Sequence, residues 1–537
     1  MVKKKKEPVV AYFCMEYGLD EELKIYAGGL GILAGDILKA AHDLKKPLIG
    51  IGILWRQGYT RQLIGKDGRP YDSYPVNDYM YDLLEDTGIK VKVKIKNDDV
   101  YCKVWKTEKY NNVPLYLLDT NLEENNNRWI TGQLYGWFEE ERIAQEIVLG
   151  IGGVKALRKL GIDVDIYHFN EGHAVFAGLE LIREKMEKGL PFEKAWEKTR
   201  DEIVFTTHTP VKEGNEVHSL ETIKYMGGFN GLTLDQMVQI GGAPFNMTVA
   251  GLRLSRISNA VAQLHGKTAR EMWKDVDNSS EIIAITNGVH HGSWVDKRIA
   301  ETYIEKGDLW ETHHVIKSEL IDYIHKKTGV KLDSKKLLIG FARRAAPYKR
   351  SDLIFKKPEI IDPYLKEGKI QIIFSGKAHP LDDTGKEIVA NLVKMTRKYP
   401  ESVVFLEDYD MEIGRMLTRG VDLWLNNPRR PKEASGTSGM KAAMNGVLNL
   451  SILDGWWPEA CQDGVNGWQF GNGYEGKDQD KHDLEALYDV LLNKVLPTYY
   501  NNREKWVQMM RASIESTYDR FSARTMVENY YEKIYRK

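Results

Sequence analysis

The sequence predicts an α/β protein made of two Rossmann-like domains with a crevice between them. Three observations lead there. The chain of 537 residues is too long for a single hydrophobic core. Short β-rich runs alternate with helical patterns along most of it, the signature of parallel sheets covered by helices. Polar or glycine-rich residues recur directly after the strand-like runs, where open parallel sheets place their ligands. "DVDIYHF" leads into Asn170, Glu171, Gly172 and His173; "EIVFTT" leads into His208; "KLLIGFA" leads into Arg343 and Arg344; "KIQIIFSG" leads into Lys377 and His379.

In chain order, "MVKKKKEPVVAYFCMEYG" reads as a solvated basic tail entering a strand, because its apolar part is too short for a secretory signal and is interrupted by Glu16. The apolar run "PLIGIGILW" is far short of a membrane span. Over residues 139–160, Ile143, Ile147, Ile151 and Val154 fall at helical spacing with Gly161 as a C-cap, which predicts an amphipathic helix on a sheet. The turn-rich "AITNGVHHGSW" follows a strand-like run and separates two blocks of similar size, so the domains are expected to span 1–288 and 289–537. The closing "SARTMVENYYEKIYRK" could pack back against the first domain.

Charge and cysteine content narrow the function classes. Lys plus Arg (76) almost cancels Asp plus Glu (77), so no global field favours nucleic acid or an acidic membrane, and any anion site must be local. Cys14, Cys102 and Cys461 are dispersed and odd in number, which points to a reducing cytoplasm. The pairs His290/His291 and His313/His314 lack further ligands at metal-binding spacing, so no metal is expected.

Three stretches carry candidate chemistry. In "EASGTSGMKAAMNG" a helix starting near Ser438 would offer its free amides and the hydroxyls of Ser435, Thr437 and Ser438 to a phosphate, with Lys441 one turn further on. A lysine amine condenses with aldehydes, and pyridoxal phosphate is the aldehyde cofactor that also needs a phosphate pocket. The plain alternative is an exposed lysine on a capped helix. "FARRAAPYKR" gathers Arg343, Arg344, Lys349 and Arg350 in one strand-to-helix turn, as an anion site or as a solvated basic helix start. "YAGGLGILAGD" brings Gly28, Gly29 and Gly31 before a helix, where backbone amides can approach a ligand. The literal GxGxxG in "GNGYEG" is followed by charged loop residues and is read as a chance match. His173 and His208 in isolation read as hydrogen-bonded structural histidines.

Together, "YAGGLGILAGD", "HFNEGHA", "FTTHTP", "ITNGV", "RRAAPYKR", "FSGKAHP" and "EASGTSGMKAAMNG" resemble the α-glucan phosphorylase family in content and order, from about residue 10 to the C-terminus. The resemblance implies the GT-B architecture, two facing Rossmann-like domains with the active site in the interdomain cleft. It implies reversible, retaining phosphorolysis of α-1,4-glucan (glycogen or maltodextrin) by orthophosphate to glucose 1-phosphate, with pyridoxal 5'-phosphate as cofactor and a homo-oligomer as one option. Carried over by position, Lys441 matches the cofactor lysine, with Thr437, Ser438, Arg343 and Tyr409 around the cofactor. Arg344 and Lys349 match the substrate-phosphate cations, with Gly29 and Leu30 of the glycine loop opposite. Glu433, Ser435, Gly436 and Asn287 match sugar-hydroxyl contacts, and His208 matches a histidine over the sugar. Asp36 and Glu171 match less closely. Arg343 stands where many longer relatives have lysine, and Gly18 where a cofactor-packing tyrosine is common. The chain is shorter than the animal and plant enzymes, so their N-terminal phosphorylation and AMP control are not expected.

Two rivals remain at this stage. A nucleotide-sugar glucan synthase on the same architecture carries a second glutamate eight positions after the one at Glu433, where this chain has Lys441. A non-catalytic glucan-binding protein would bind sugar without cofactor.

Overall fold

The structure, a computed structural model, describes residues 6–137 and 139–536. The first five residues of the predicted basic tail lie outside them. The chain forms two compact units: Met1–Thr60, Tyr74–Thr286 and Met526–Lys537 make the first, and Arg61–Ser73 with Asn287–Thr525 make the second. The crossing at Thr286/Asn287 lies two residues before the 288/289 boundary read from the sequence. Sequence pattern gave no sign of the excursion at Arg61–Ser73. Its hairpin, Arg61–Ile64 with Pro70–Ser73, is tied to the rest of the second unit by Gln62, whose side-chain amide donates to and accepts from the backbone of Ala378.

The first unit is built on a nine-stranded sheet. Its parallel strands are β1 (Val10–Phe13), β2 (Leu48–Ile53), β3 (Leu115–Asp119), β4 (Ile166–Asn170), β5 (Ile203–Thr206), β6 (Ile257–Ala260) and β7 (Glu281–Ala284). Their order is β7-β6-β5-β4-β1-β2-β3, with the hairpin Glu85–Ile95/Asp98–Thr107 added antiparallel beside β3. Strand order reverses between β1 and β4, which makes that gap the topological switch point. Val10–Phe13 is buried at all four positions, as expected of a central parallel strand covered on both faces.

The helix predicted over 139–160 is continuous in space but holds a π turn, Val148–Gly152, between Glu140–Ile147 and Gly153–Leu160. The turn packs closely, which requires glycine at 150: a Cβ there would stand 2.5 Å from the backbone nitrogen of Ala177. Gly161 stops the helix in the left-handed conformation at φ 69°. The final residues join the first unit, where Tyr535 Oη lies 2.7 Å from His168 Nδ1.

The second unit has a six-stranded, wholly parallel sheet of β8 (Leu337–Ala342), β9 (Ile370–Ser375), β10 (Val403–Leu406), β11 (Leu423–Asn426), β12 (Leu448–Ile452) and β13 (Gly467–Phe470). The order β10-β9-β8-β11-β12-β13 is the doubly wound 3-2-1-4-5-6 arrangement, with its switch point between β8 and β11. Among the described residues no helix is long and apolar enough to cross a membrane. The mixed α/β layering with parallel sheets agrees with the predicted fold class.

Candidate functional site

In the second unit the switch point gathers the cationic candidates. Arg343 and Arg344 follow β8 directly, and Lys349 closes the Pro347–Lys349 turn. Glu433 lies in the loop after β11. Arg343 Nη2 and Lys349 Nζ both donate to Glu433 Oε2, at 2.6 and 2.8 Å. Burial alone would raise the Glu433 carboxyl; the charges of Arg343, Lys349 and the exposed Arg344 overcome that and hold it below its ordinary value. Three cations against one carboxylate leave a local excess of positive charge.

Buried polar atoms among the candidate residues of this unit lack protein partners. Arg343 Nη1, Ser435 Oγ and Asn287 Oδ1 are buried without a hydrogen bond. Each such atom costs about 1–3 kcal/mol if nothing pairs with it, which marks a place where a ligand is the natural partner. Gly436 sits against the same group, since a Cβ there would stand 3.6 Å from Arg343 Nη2 and 3.5 Å from Glu433 Cγ. Its φ of +83° also favours glycine.

The helix Thr437–Met444 starts one residue before the predicted Ser438. Gly436 as N-cap brings no side chain to its amides, so the helix N-terminus keeps donors for an anion. Lys441 is buried, not an exposed surface lysine, and its Nζ lies 3.6 Å from the centre of the Trp294 ring. Ser438 Oγ accepts from Trp424 Nε1 at 3.2 Å. Tyr409 is packed against the next helix, its Oη 2.5 Å from where a Gly414 Cβ would be; burial pushes its phenol up to about 12, although Arg343 acts in the opposite direction.

Arg350, counted with the basic cluster from its sequence neighbours, does not join it. A positive φ of 52° turns it away, and its guanidinium bonds Asn427 O, Pro428 O, Asp480 and Asp483. Lys377 pairs with Asp408 at 2.8 Å.

The first unit presents a different set at its own switch point. Gly28 caps the helix Gly29–Asp43 without a side-chain bond, and Leu30 lies half-buried in its first turn. A Cβ added at Gly28 or Gly29 would meet nothing within 4 Å, and the φ of Gly28 (−157°) is open to any residue. Neither packing nor backbone therefore demands glycine at these two positions. Glu16 fixes the entry to this helix by accepting from Ala27 N and Gly28 N at 2.6 and 3.0 Å and from Tyr135 Oη at 3.0 Å.

After β4 and β5, Glu171 and His208 meet. Glu171 takes a positive φ of 73° and accepts from Gly172 N, His208 N and Thr209 Oγ1. His208 Nε2 bonds Asn170 Oδ1. Desolvation, helped by nearby His265 and His173, lowers the His208 imidazole to about 3, so it is neutral at pH 7. Asp36 is buried within the Gly29–Asp43 helix.

The histidine pairs read from sequence as unsuited to metal have structural partners. His291 stacks on Tyr518 and bonds its carbonyl, His290 bonds Ser293, and His313 bonds the buried Asp422. The GNGYEG segment is a loop after β13 with no helix until Gln479–Val490.

Sequence reading missed three participants. Asp454 follows β12 and accepts from Glu433 N at 2.9 Å and Gly455 N at 2.8 Å; burial and the Glu433 charge raise it to about 7. Its "SILDGWW" context repeats the strand-then-polar pattern used for the other candidates and could have found it. Glu16 and Trp294 carried no spacing signal.

Residues 295–485 match the family model described as carbohydrate phosphorylase. The chain is 40% identical to a maltodextrin phosphorylase of Thermococcus litoralis, over 99% of this chain and 71% of that one. It is 38% identical to a glycogen phosphorylase of Aquifex aeolicus, over 99% and 86%. An uncharacterized protein of Methanocaldococcus jannaschii is 37% identical over 98% of this chain and 99% of its own. With relatives this similar across nearly its whole length, the chain belongs to the carbohydrate phosphorylase family.

Proposed function

We infer that the protein is an α-1,4-glucan phosphorylase that cleaves glycogen or maltodextrin with orthophosphate, retaining configuration in the α-glucose 1-phosphate released. The observation that carries this reading is the Arg343–Glu433–Lys349 cluster, with its unpaired Arg343 Nη1 and Ser435 Oγ, next to an uncapped helix bearing a buried lysine.

Pyridoxal 5'-phosphate fits these residues. Lys441 offers a buried amine beside the Trp294 ring, while the Thr437–Met444 amides, the Thr437 and Ser438 hydroxyls and Arg343 offer donors for a phosphate. Tyr409 would pack nearby. When bound, the cofactor's phosphate supplies a proton donor and acceptor for the substrate phosphate.

The chain's own residues have separable tasks. Two phosphates in contact repel, and Arg343, Arg344 and Lys349 supply the opposing charge that holds them together. Glu433, Ser435, Gly436 and Asn287 orient sugar hydroxyls, with Asp454 setting the backbone of Glu433. Glu433 is ionised, so it accepts from hydroxyls and does not act as a proton donor. In the first unit, Gly29 and Leu30 offer open backbone at the start of their helix, and His208, neutral and fixed by Asn170 and Glu171, suits contact with an uncharged sugar. A cytoplasmic location suits the three free cysteines.

The test is direct. Purified protein supplied with cofactor and orthophosphate is expected to release glucose 1-phosphate from maltodextrin, and borohydride reduction is expected to modify Lys441 in the mapped peptide. Cofactor-free protein that elongates glucan from nucleotide-glucose would replace this reading with the synthase.

A further inference from the structure

A second group of chemically active side chains lies in the first unit, outside the residues assigned above. Glu146 comes from the helix Glu140–Ile147, His218 from the short strand Val217–His218, and Glu216 directly precedes that strand. His218 Nε2 stands 3.1 Å from Glu146 Oε2 and 3.4 Å from Glu216 Oε1. One ligand atom from each residue lies within 4.8 Å of the other two. His173, from the turn after β4, brings its Nε2 to 3.7 Å from Glu216 Oε2.

The separations of 3.1, 3.4 and 3.7 Å suit a shared cation. Nitrogen and oxygen ligands about 2.0–2.2 Å from one ion lie about 3–4.4 Å from each other. The burial points the same way: Glu146 is fully buried, yet its Oε1 has no hydrogen-bond partner. Taking a carboxylate out of water while leaving one oxygen unpaired is costly, and a cation in the group would offset that cost. Arg142, whose Nη1 lies 3.5 Å from Glu216 Oε2, supplies one positive charge against two carboxylates, so with His218 neutral one negative charge remains for a cation to meet.

The geometry points to a divalent metal site formed by Glu146, Glu216 and His218, with His173 as a fourth ligand, selective for a first-row transition ion such as Zn²⁺ or Mn²⁺. Mixed imidazole and carboxylate ligation favours such ions over Ca²⁺ or Mg²⁺. His218 coordinates through Nε2, which gives up its hydrogen bond to Glu146 and releases any proton it carries. The ion ties the Glu140–Ile147 helix to the Val217–His218 strand and to the turn that leads from Glu171. Its role is to stabilise the first unit; no step of phosphorolysis depends on it. The expectation of no metal, drawn from adjacent histidine pairs, overlooked these ligands because 72 positions of sequence separate Glu146 from His218.

The rival occupant is a proton. With no ion present, the two carboxylates raise His218 against the effect of burial, so an imidazolium can bridge them. Full-length protein dialysed against EDTA and titrated with ZnCl₂, with bound metal measured after desalting, separates the two. One Zn²⁺ per chain, a higher melting temperature, and loss of both in Glu146→Gln and His218→Ala are expected. Failure of the wild-type protein to retain Zn²⁺ or Mn²⁺, or undiminished retention by both variants, overturns the proposal. Should the variants not fold, the visible spectrum of Co²⁺-loaded wild-type protein decides it, since bands of nitrogen ligation are expected and an all-oxygen spectrum overturns the assignment.

Discussion

The two units share a doubly wound parallel sheet and place their candidate residues at the same topological point, yet the chemistry at the two points differs. At the second, between β8 and β11, Arg343, Arg344 and Lys349 outnumber the single carboxylate Glu433. At and beside the first, after β1, β4 and β5, the groups are a neutral imidazole, open glycines and a carboxylate occupied by backbone amides. A doubly wound sheet therefore supplies a location and not a ligand preference. Under the proposed function, the charge excess in the second unit is what answers to phosphate groups, while the first unit contributes only neutral, hydrogen-bonding groups.

Substitutions test this division, and the largest effect belongs to Lys441. Lys441→Ala is expected to abolish phosphorolysis and cofactor retention, read from glucose 1-phosphate release and cofactor absorbance; an active, cofactor-loaded variant would remove the second unit's defining feature. Arg343→Ala comes next, with a loss of about 10²–10³-fold in kcat/KM and a raised KM for orthophosphate. It also leaves Glu433 with only one direct cationic partner, so a lower melting temperature should accompany it. His208→Ala should instead weaken glucan saturation and kcat by about tenfold to a hundredfold with phosphate KM unchanged. If His208→Ala raised phosphate KM as much as Arg343→Ala does, the division between the units would fail.

Acidification should separate the units in stability. His168 and His208 are lowered to about 3, and His173 and His265 to about 4, chiefly by burial. Between those values and the unfolded value near 6.5, the unfolded chain binds protons that the folded unit does not. These four imidazoles therefore take stability from the first unit as pH falls from about 6.5, while the buried carboxyls of Glu16, Glu146 and Glu171, raised by burial, return part of it. Asp454 works the other way: its folded value of about 7 lies above the unfolded 3.8, so below about 7 the folded state binds the extra proton and the loop gains stability as pH falls. Amide hydrogen exchange at pH 7 and pH 5 should show faster opening around β4 and β5 and slower opening over 433–455 at the lower pH. The same direction of change in both regions would contradict the contrast.

The smallest predicted effect concerns what the units share. Gly161 and Gly329 end helices in the left-handed region at φ 69° and 77°, one in each unit. Replacing either with alanine should cost about 1 kcal/mol, measurable by thermal melting, and the two costs should be similar.

Local signals made much of this legible. The Gly161 stop, the helix start near Thr437 and the basic turn after β8 all depend on neighbours within a few residues. Arg350 shows the limit, because it shares the basic stretch with Lys349 yet its backbone turns it toward Asp480 and Asp483. The π turn at Val148–Gly152 was invisible too, because one wider turn leaves the apolar spacing of the helix in place. Asp454 was legible in principle, since it stands where every other candidate stood.

By itself the sequence determined the alternation of strands and helices, the two-core organisation and the motifs that carry the family resemblance, since period, composition and turn chemistry are written in consecutive residues. Only the tertiary structure decided that Lys441 is buried against Trp294, that Glu433 is held ionised by two cations 84 and 90 positions away, and that Glu146, Glu216 and His218 converge. Those outcomes depend on desolvation and on charges brought together across long sequence distances, and neither exists until the chain has folded.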